Sequence, residues 1–180
     1  EEQATLYEAV VREALDQINN AEDEMARRGK VLSMLMQLKQ ICNHPAAYRD
    51  DGQPLAGRSG KLARLEEIVD AVFAAEERIL VFTHFATWGR RLAAHLSDVT
   101  DTSIASYDGS LARGTRDRLV TEFQQGQGPG ALVLSLKAGG TGLNLTAANH
   151  VVLYDRWWNP AVEDQARDRA WRIGQHRTVI

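Results

Sequence analysis

The side chains best suited to chemistry lie near the end of the sequence. Arg169 and Arg172 are three apart, so on a helix they share a face. Two guanidiniums on one face can clamp a polyphosphate through charge-assisted hydrogen bonds. Gln165 lies one helical turn before Arg169. Upstream, Gly139, Gly140 and Gly142 mark a loop in which the backbone can approach a ligand closely. Ser135, Lys137 and Thr141 in the same stretch offer donors to phosphate oxygens, contacts that position a protein without reading base sequence. Taken alone, an arginine pair on a helix is more often a solvated face, here with Asp164 and Asp168 as partners. Lys137 has the same plain alternative, a loop lysine in water.

These groups need a scaffold, and the flanking pattern describes one. An apolar run, Ala131 to Leu134, ends in Ser135, and a second, His150 to Tyr154, ends in Asp155. Short runs rich in Val and Leu suit strands buried on both faces. Asn159-Pro160 opens a helix, Glu163 and Asp164 suit its positive end, and Gly174 stops it. Further upstream, Arg78 to Phe82 reads as a strand ending in Thr83-His84-Phe85. A helix over 87–97 follows, with Trp88, Leu92 and Leu96 inward, then a weak strand over 102–106 and a turn at 107–110. A helix over 112–124 carries Arg116, Leu119 and Phe123, and a flexible loop covers 125–130. Strands alternating with helices predict a parallel α/β sheet, whose carboxyl edge is where ligands gather. On residue chemistry alone, His84 is a polar cap to a strand rather than a base.

The first part of the chain differs in character. Leu6, Val10, Ala14, Ile18, Ala21 and Met25 recur at helical spacing and predict one amphipathic helix over 3–28, ended by Gly29. A more apolar helix over 31–43 follows, with Val31, Leu35, Leu38 and Cys42 on its buried side and Met34 and Ile41 beside them. Residues 46–58 read as a loop, and Ser59 opens a helix with Leu62, Leu65, Ile68, Val69 and Val72 inward. Cys42 and His44 lack the second ligand pair a zinc site needs. The stretch from Gly57 to Lys61 lacks both the spacing and the Ser/Thr of a phosphate loop. The chain has 180 residues, 44% of them hydrophobic, enough for one domain or one domain with an appendage. Residues 1–28 hold eight acidic and three basic side chains, a net −5, so the remainder carries +2 of the chain's −3. The single Cys42 excludes an internal disulfide and suits a cytosolic or nuclear setting, and no membrane-length apolar run is present.

The string from Ser135 through Lys137, Gly139, Gly140, Thr141, Gly142, Asn144 and Thr146 resembles the fifth motif of the superfamily-two helicase core, in the form carried by SWI/SNF-type remodelling ATPases. Trp158-Asn159-Pro160, then Gln165-Ala166, Asp168-Arg169-Ala170 and Arg172-Ile173-Gly174-Gln175, resemble the sixth. Phe82-Thr83-His84-Phe85, and Asp108-Gly109-Ser110 with Arg116, are similar to the fourth motif and the one after it. Leu38 to Pro45 resembles the segment that ends the family's helical insertion, and Ser59 to Leu62 its entry to the second lobe. The family often has an acidic or small residue at Trp157 and His at Trp171; neither departure touches the arginines.

The resemblance implies a RecA-like parallel sheet flanked by helices and preceded by an α-helical hairpin, in a bacterial member. Residues 1–57 would be helical insertion and linker, and 58–180 the second motor lobe. Arg169 and Arg172 would be arginine fingers reaching ATP on an N-terminal lobe, with Gln165 positioning water or phosphate. Gly140, Gly142 and Asn144 would border the nucleotide. Thr83, His84, Ser110, Arg116, Ser135, Lys137, Thr141 and Trp158 would face double-stranded DNA. On their own chemistry, one of Trp157 and Trp158 suits core and the other surface. The full-length protein would use ATP and Mg2+, none of it held by this chain alone: the sequence has no phosphate loop, and Asp23-Glu24 lies in a helix rather than at a strand end. The chain would be monomeric, off the membrane, and cytoplasmic or nuclear. His176 to Ile180 reads as the start of a further strand in a longer protein. A strand-separating helicase lobe is the same-class alternative; a non-catalytic α/β scaffold using the acidic first helix is the other.

Overall fold

The computed structural model describes all residues except 140–142, 157–160, 162, 163, 165–167, 171–174 and 176. The chain divides into two compact units, Glu1–Arg64 and Leu65–Ile180. In the first, α1 (Glu2–Asn19) and α2 (Glu24–Asn43) bury Val10, Leu38 and Ile41 together, with Leu6, Val11, Met34 and Tyr48 packed around them. The single helix expected over 3–28 is broken. Apolar spacing continues to Met25, but Asn19 and Asn20 are poor helix formers. Asp23 then accepts the Ala26 N–H at 2.7 Å, a cap that starts a new helix. Gly29 therefore lies inside α2, and Met25 is 84% exposed instead of inward. The buried stripe of α2 is Met34, Leu38 and Ile41, and Cys42 is exposed rather than on the inner side.

Beyond α2 a polar hub is buried. His44 caps the short α3 (Pro45–Tyr48): its Nδ1 accepts the Ala46 N–H at 3.0 Å. Its Nε2 lies 2.9 Å from the Leu55 carbonyl, which makes Nε2 the protonated nitrogen. Both ring nitrogens thus serve the backbone. Asn43 accepts from the Lys61 ammonium at 2.9 Å on its side chain and from the Ser59 hydroxyl at 2.9 Å on its carbonyl. Ser59 Oγ also accepts the Leu62 N–H at 3.4 Å and so caps α4 (Gly60–Ala74). At the surface, Arg58 bridges Glu2 and Asp51.

The second unit runs β1 (Arg78–Thr83), α5 (Ala86–Thr100), β2 (Ala105–Tyr107), α6 (Arg113–Gln125), β3 (Gly130–Ser135), α7 (Leu136–Gly139) and β4 (His150–Leu153). The strands form one parallel sheet in the order β2-β3-β1-β4, the parallel α/β sheet the sequence predicts. All six residues of β1 are buried, as a strand covered on both faces requires. Leu80, Phe82, Leu132 and Leu134 join Tyr107, Phe123 and Leu145 in one core. Ile79, Val81 and Val133 alternate with them and are also buried. Trp88, Leu92 and Leu96 of α5 are buried as expected. Helix α5 lies so close to the sheet that a Cβ on Gly89 would stand 3.1 Å from Thr83 Cγ2.

Two local features differ from the pattern, and a third agrees with it. The weak strand expected over 102–106 is displaced to Ala105–Tyr107. The Ile104 backbone is engaged instead by Ser97, whose Oγ accepts its N–H at 2.9 Å and donates to its carbonyl at 3.2 Å. The glycine loop begins with the helical turn α7, where Ser135 Oγ accepts the Ala138 N–H at 3.4 Å. At the other side of β4, Ile180 donates to the Asn149 carbonyl and accepts from the Val151 N–H, each at 2.9 Å, as a further parallel strand would. No helix among the described residues is long and apolar enough to cross a membrane.

Candidate functional site

Register brings the polar strand ends into line. Thr83 pairs with Ser135, Tyr107 with Leu134, and Phe82 with Leu153. The residues that follow each strand therefore gather along one edge: Thr83 and His84 from β1, Asp108 and Ser110 from β2, Ser135 and Lys137 from β3, Asp155 from β4.

Two buried carboxylates organise this edge. Asp155, 5% exposed, accepts the Thr83 hydroxyl at 2.6 Å and the His84 N–H at 2.7 Å. Thr83 Oγ1 in turn lies 3.3 Å from the Phe85 N–H that it accepts. Asp108, 1% exposed, accepts the Ser110 N–H at 2.8 Å, the Ser110 hydroxyl at 2.6 Å and the Arg90 guanidinium at 2.7 Å. Burial alone would raise the Asp108 pKa. The Ser110 hydroxyl and N–H, then Arg90, outweigh it and hold the carboxyl below the ordinary range. Arg90 is about half exposed, so its charge still faces solvent.

The predicted residues divide by exposure. Ser110, Lys137 and Asn144 are exposed; His84 and Arg116 are partly so. The Arg116 Nε is shielded from solvent and has no hydrogen-bond partner among the described residues. Thr83 and Ser135 are turned inward, 0% and 5% exposed, with hydroxyls given to Asp155 and to the cap of α7. Arg169 is 4% exposed, and its carbonyl accepts the Leu145 N–H at 3.0 Å. Gln165, Arg172, Gly140, Gly142, Thr141 and Trp158 lie outside the described residues.

Sequence reasoning passed over Asp155 and Arg90. An acid closing an apolar run at a carboxyl edge was the available signal for Asp155; Arg90 had none. The opposite edge holds a cavity of about 330 Å3, bordered by Glu76, Arg78, Gln127, Thr146, Gln175 and Arg177. None of the predicted site residues among the described ones lines it. Its main polar groups are already engaged. Arg78 donates to the Gly128 and Phe123 carbonyls. Gln175 donates to the carbonyls of Thr146, Ala148 and Ala170 and accepts the Arg177 N–H.

Comparison with known proteins agrees with this geometry. The helicase conserved C-terminal domain family matches residues 60–174. The chain is 51% identical, over 99% of its length, to YwqA of Bacillus subtilis, a candidate ATP-dependent helicase/translocase. It is 32% identical, over 83% of its length, to the DNA excision repair protein ERCC-6 of Homo sapiens. It spans only 19% and 11% of those two proteins. Among solved structures, the Sulfolobus solfataricus SWI2/SNF2 ATPase C-terminal domain superposes with a TM-score of 0.80 at 38% identity, over 91% of this chain and 71% of that one. The same organism's SWI2/SNF2 ATPase core in complex with double-stranded DNA superposes at 0.83 and 36% identity, over 99% of this chain and 37% of that one.

Proposed function

The chain belongs to the helicase conserved C-terminal domain family, in its SWI2/SNF2 ATPase branch, and from that premise we propose that it is the second motor lobe of an ATP-dependent double-stranded DNA translocase. Residues 1–57 are the end of the helical insertion and its linker, and 58–180 the lobe. One observation carries the reading: the family's ordered motifs fall on the aligned carboxyl ends of β1, β2 and β3, where Thr83 pairs with Ser135.

ATP sits against an N-terminal lobe of the same protein, and Arg172 and Arg169 bring guanidiniums to it. Gln165, Gly140, Gly142 and Asn144 complete this side. Guanidiniums and an amide suit a triphosphate, and the transition-state charge they stabilise is worth roughly 1,000- to 100,000-fold in rate. The magnesium belongs to the other lobe, because this sequence has no phosphate loop to hold it. His84, Ser110, Arg116 and Lys137, with Thr141 and Trp158, face the DNA backbone; Thr83 and Ser135 shape the loops that carry them. Binding by the chain alone is weak and salt-sensitive, because it rests on phosphate contacts. The lobe is monomeric and works in the bacterial cytoplasm or, in a eukaryote, in the nucleus.

ATP hydrolysis tests this, with and without duplex DNA, by the chain alone and by the full-length protein. The chain alone turns over no ATP. The full-length protein does, faster with duplex, and Arg172→Ala removes at least about 1,000-fold of that rate. Robust turnover by the isolated chain overturns the half-site reading. Arg172 is the cleaner probe, since buried Arg169 also supports packing.

A further inference from the structure

We infer that Asp155 is a positioning residue that ties the DNA-facing loop after β1 to the segment carrying the arginines; the inference rests on the motor-lobe reading above. Its carboxylate is 5% exposed and holds two donors from consecutive residues, the Thr83 hydroxyl at 2.6 Å and the His84 N–H at 2.7 Å. Thr83 is the last residue of β1, and His84 opens the loop that leaves it. Asp155 lies two residues beyond β4, and the chain runs from it directly through Arg156 into the Trp157–Arg172 stretch. One side chain therefore joins the place where DNA is met to the root of the segment that reaches ATP.

Chemistry argues that this is more than a filled hydrogen bond. A buried carboxylate is costly to desolvate, and two short bonds from donors of fixed geometry offset part of that cost while the loop keeps its position. A shift of the loop draws donors away from a buried acid, so the loop is held to the point from which the arginine-bearing segment departs. Thr83 is held from the other side as well: its methyl faces α5 at Gly89, where even a Cβ would stand 3.1 Å away. With the methyl packed there and the hydroxyl on Asp155, Thr83 has little freedom to turn. Catalytic geometry is sensitive to displacements of about 1 Å, enough to change rates on the order of 100-fold.

The test uses the full-length protein with Asp155→Asn, Thr83→Val, Thr83→Ser and the Asp155→Asn/Thr83→Val double variant. The readout is the ratio of DNA-stimulated to DNA-free ATP turnover. That ratio is blind to the fraction of folded enzyme, because misfolding lowers both rates alike. Asp155→Asn and Thr83→Val each lower the ratio about tenfold, and the double variant lowers it no further, as expected for two members of one bond. Thr83→Ser, which keeps the hydroxyl, restores the wild-type ratio. An unchanged ratio in Thr83→Val, or losses that multiply in the double variant, overturns the inference. A wild-type protein without DNA-stimulated turnover overturns instead the motor-lobe reading on which it rests.

Discussion

The two edges of the sheet are both locked by buried polar side chains, yet in opposite ways. At the amino edge Arg78, 8% exposed, gives its guanidinium to the Phe123 and Gly128 carbonyls and lies 5.4 Å over the Phe123 ring. Gln175 likewise donates to three carbonyls. These two side chains donate to backbone carbonyls, so the lock is closed on the chain itself. At the carboxyl edge the roles are reversed. Buried Asp108 and Asp155 accept from hydroxyls, N–H groups and Arg90, and the residues so held, Ser110, His84 and Arg90, remain open to solvent to different degrees. The amino edge fastens strands and loops to one another. The carboxyl edge fastens a surface in place for something else to meet.

That contrast is open to experiment. Truncating Arg78 to Leu should give the largest loss of stability, about 3 kcal/mol, because two buried carbonyls lose their donor. Chemical denaturation of the chain measures it, and the loss should persist in molar salt, since the group is shielded. Burial, and then the nearby Arg177, lower the Arg78 pKa, but a guanidinium remains charged at neutral pH. Asp108→Asn should cost less, about 1 kcal/mol, and part of that should vanish in salt because Arg90 is half exposed. Equal salt sensitivity of the two variants would erase the distinction between the edges. The smallest effect should come from the first unit, where Arg58 holds the Asp51 carboxyl down at about 2 and lowers that of Glu2. Depressed acids contribute stability above their ordinary range and lose it as pH falls toward the folded value. The N-terminal helices should therefore loosen between the ordinary carboxylate range and about pH 2, followed by amide resonances of α1, and Arg58→Gln should remove that dependence.

How much of this was readable beforehand depended on where the deciding force lay. Strands β1 and β3 were visible because burial on both faces demands unbroken apolar runs, and β4, though only partly buried, keeps an apolar run of its own. Helix α5 was visible because Trp88, Leu92 and Leu96 must share one face. The break between α1 and α2 was hidden, since apolar spacing crosses it and only the Asp23 cap reveals it. The place of β2 was hidden because a serine on another element, Ser97, engages the Ile104 backbone. At the site, the residue types at the strand ends were legible, and their orientation was not. Thr83 looked like a surface hydroxyl until its partner, 72 positions away, was in view.

The strand order has a consequence for the birth of the molecule. Central β1 is flanked by β3 and β4, both encoded well after it, and no two strands that are successive in the chain and adjacent in the sheet form a hairpin. A ribosome therefore releases β1, buried along its whole length in the fold, long before either neighbour exists to cover it. Contacts between distant positions form slowly, and exposed strand edges are prone to wrong pairing meanwhile. During synthesis, α4 and α5 are the segments on hand to shelter β1, and their early helicity sets how safely the nascent chain waits for residues near 150.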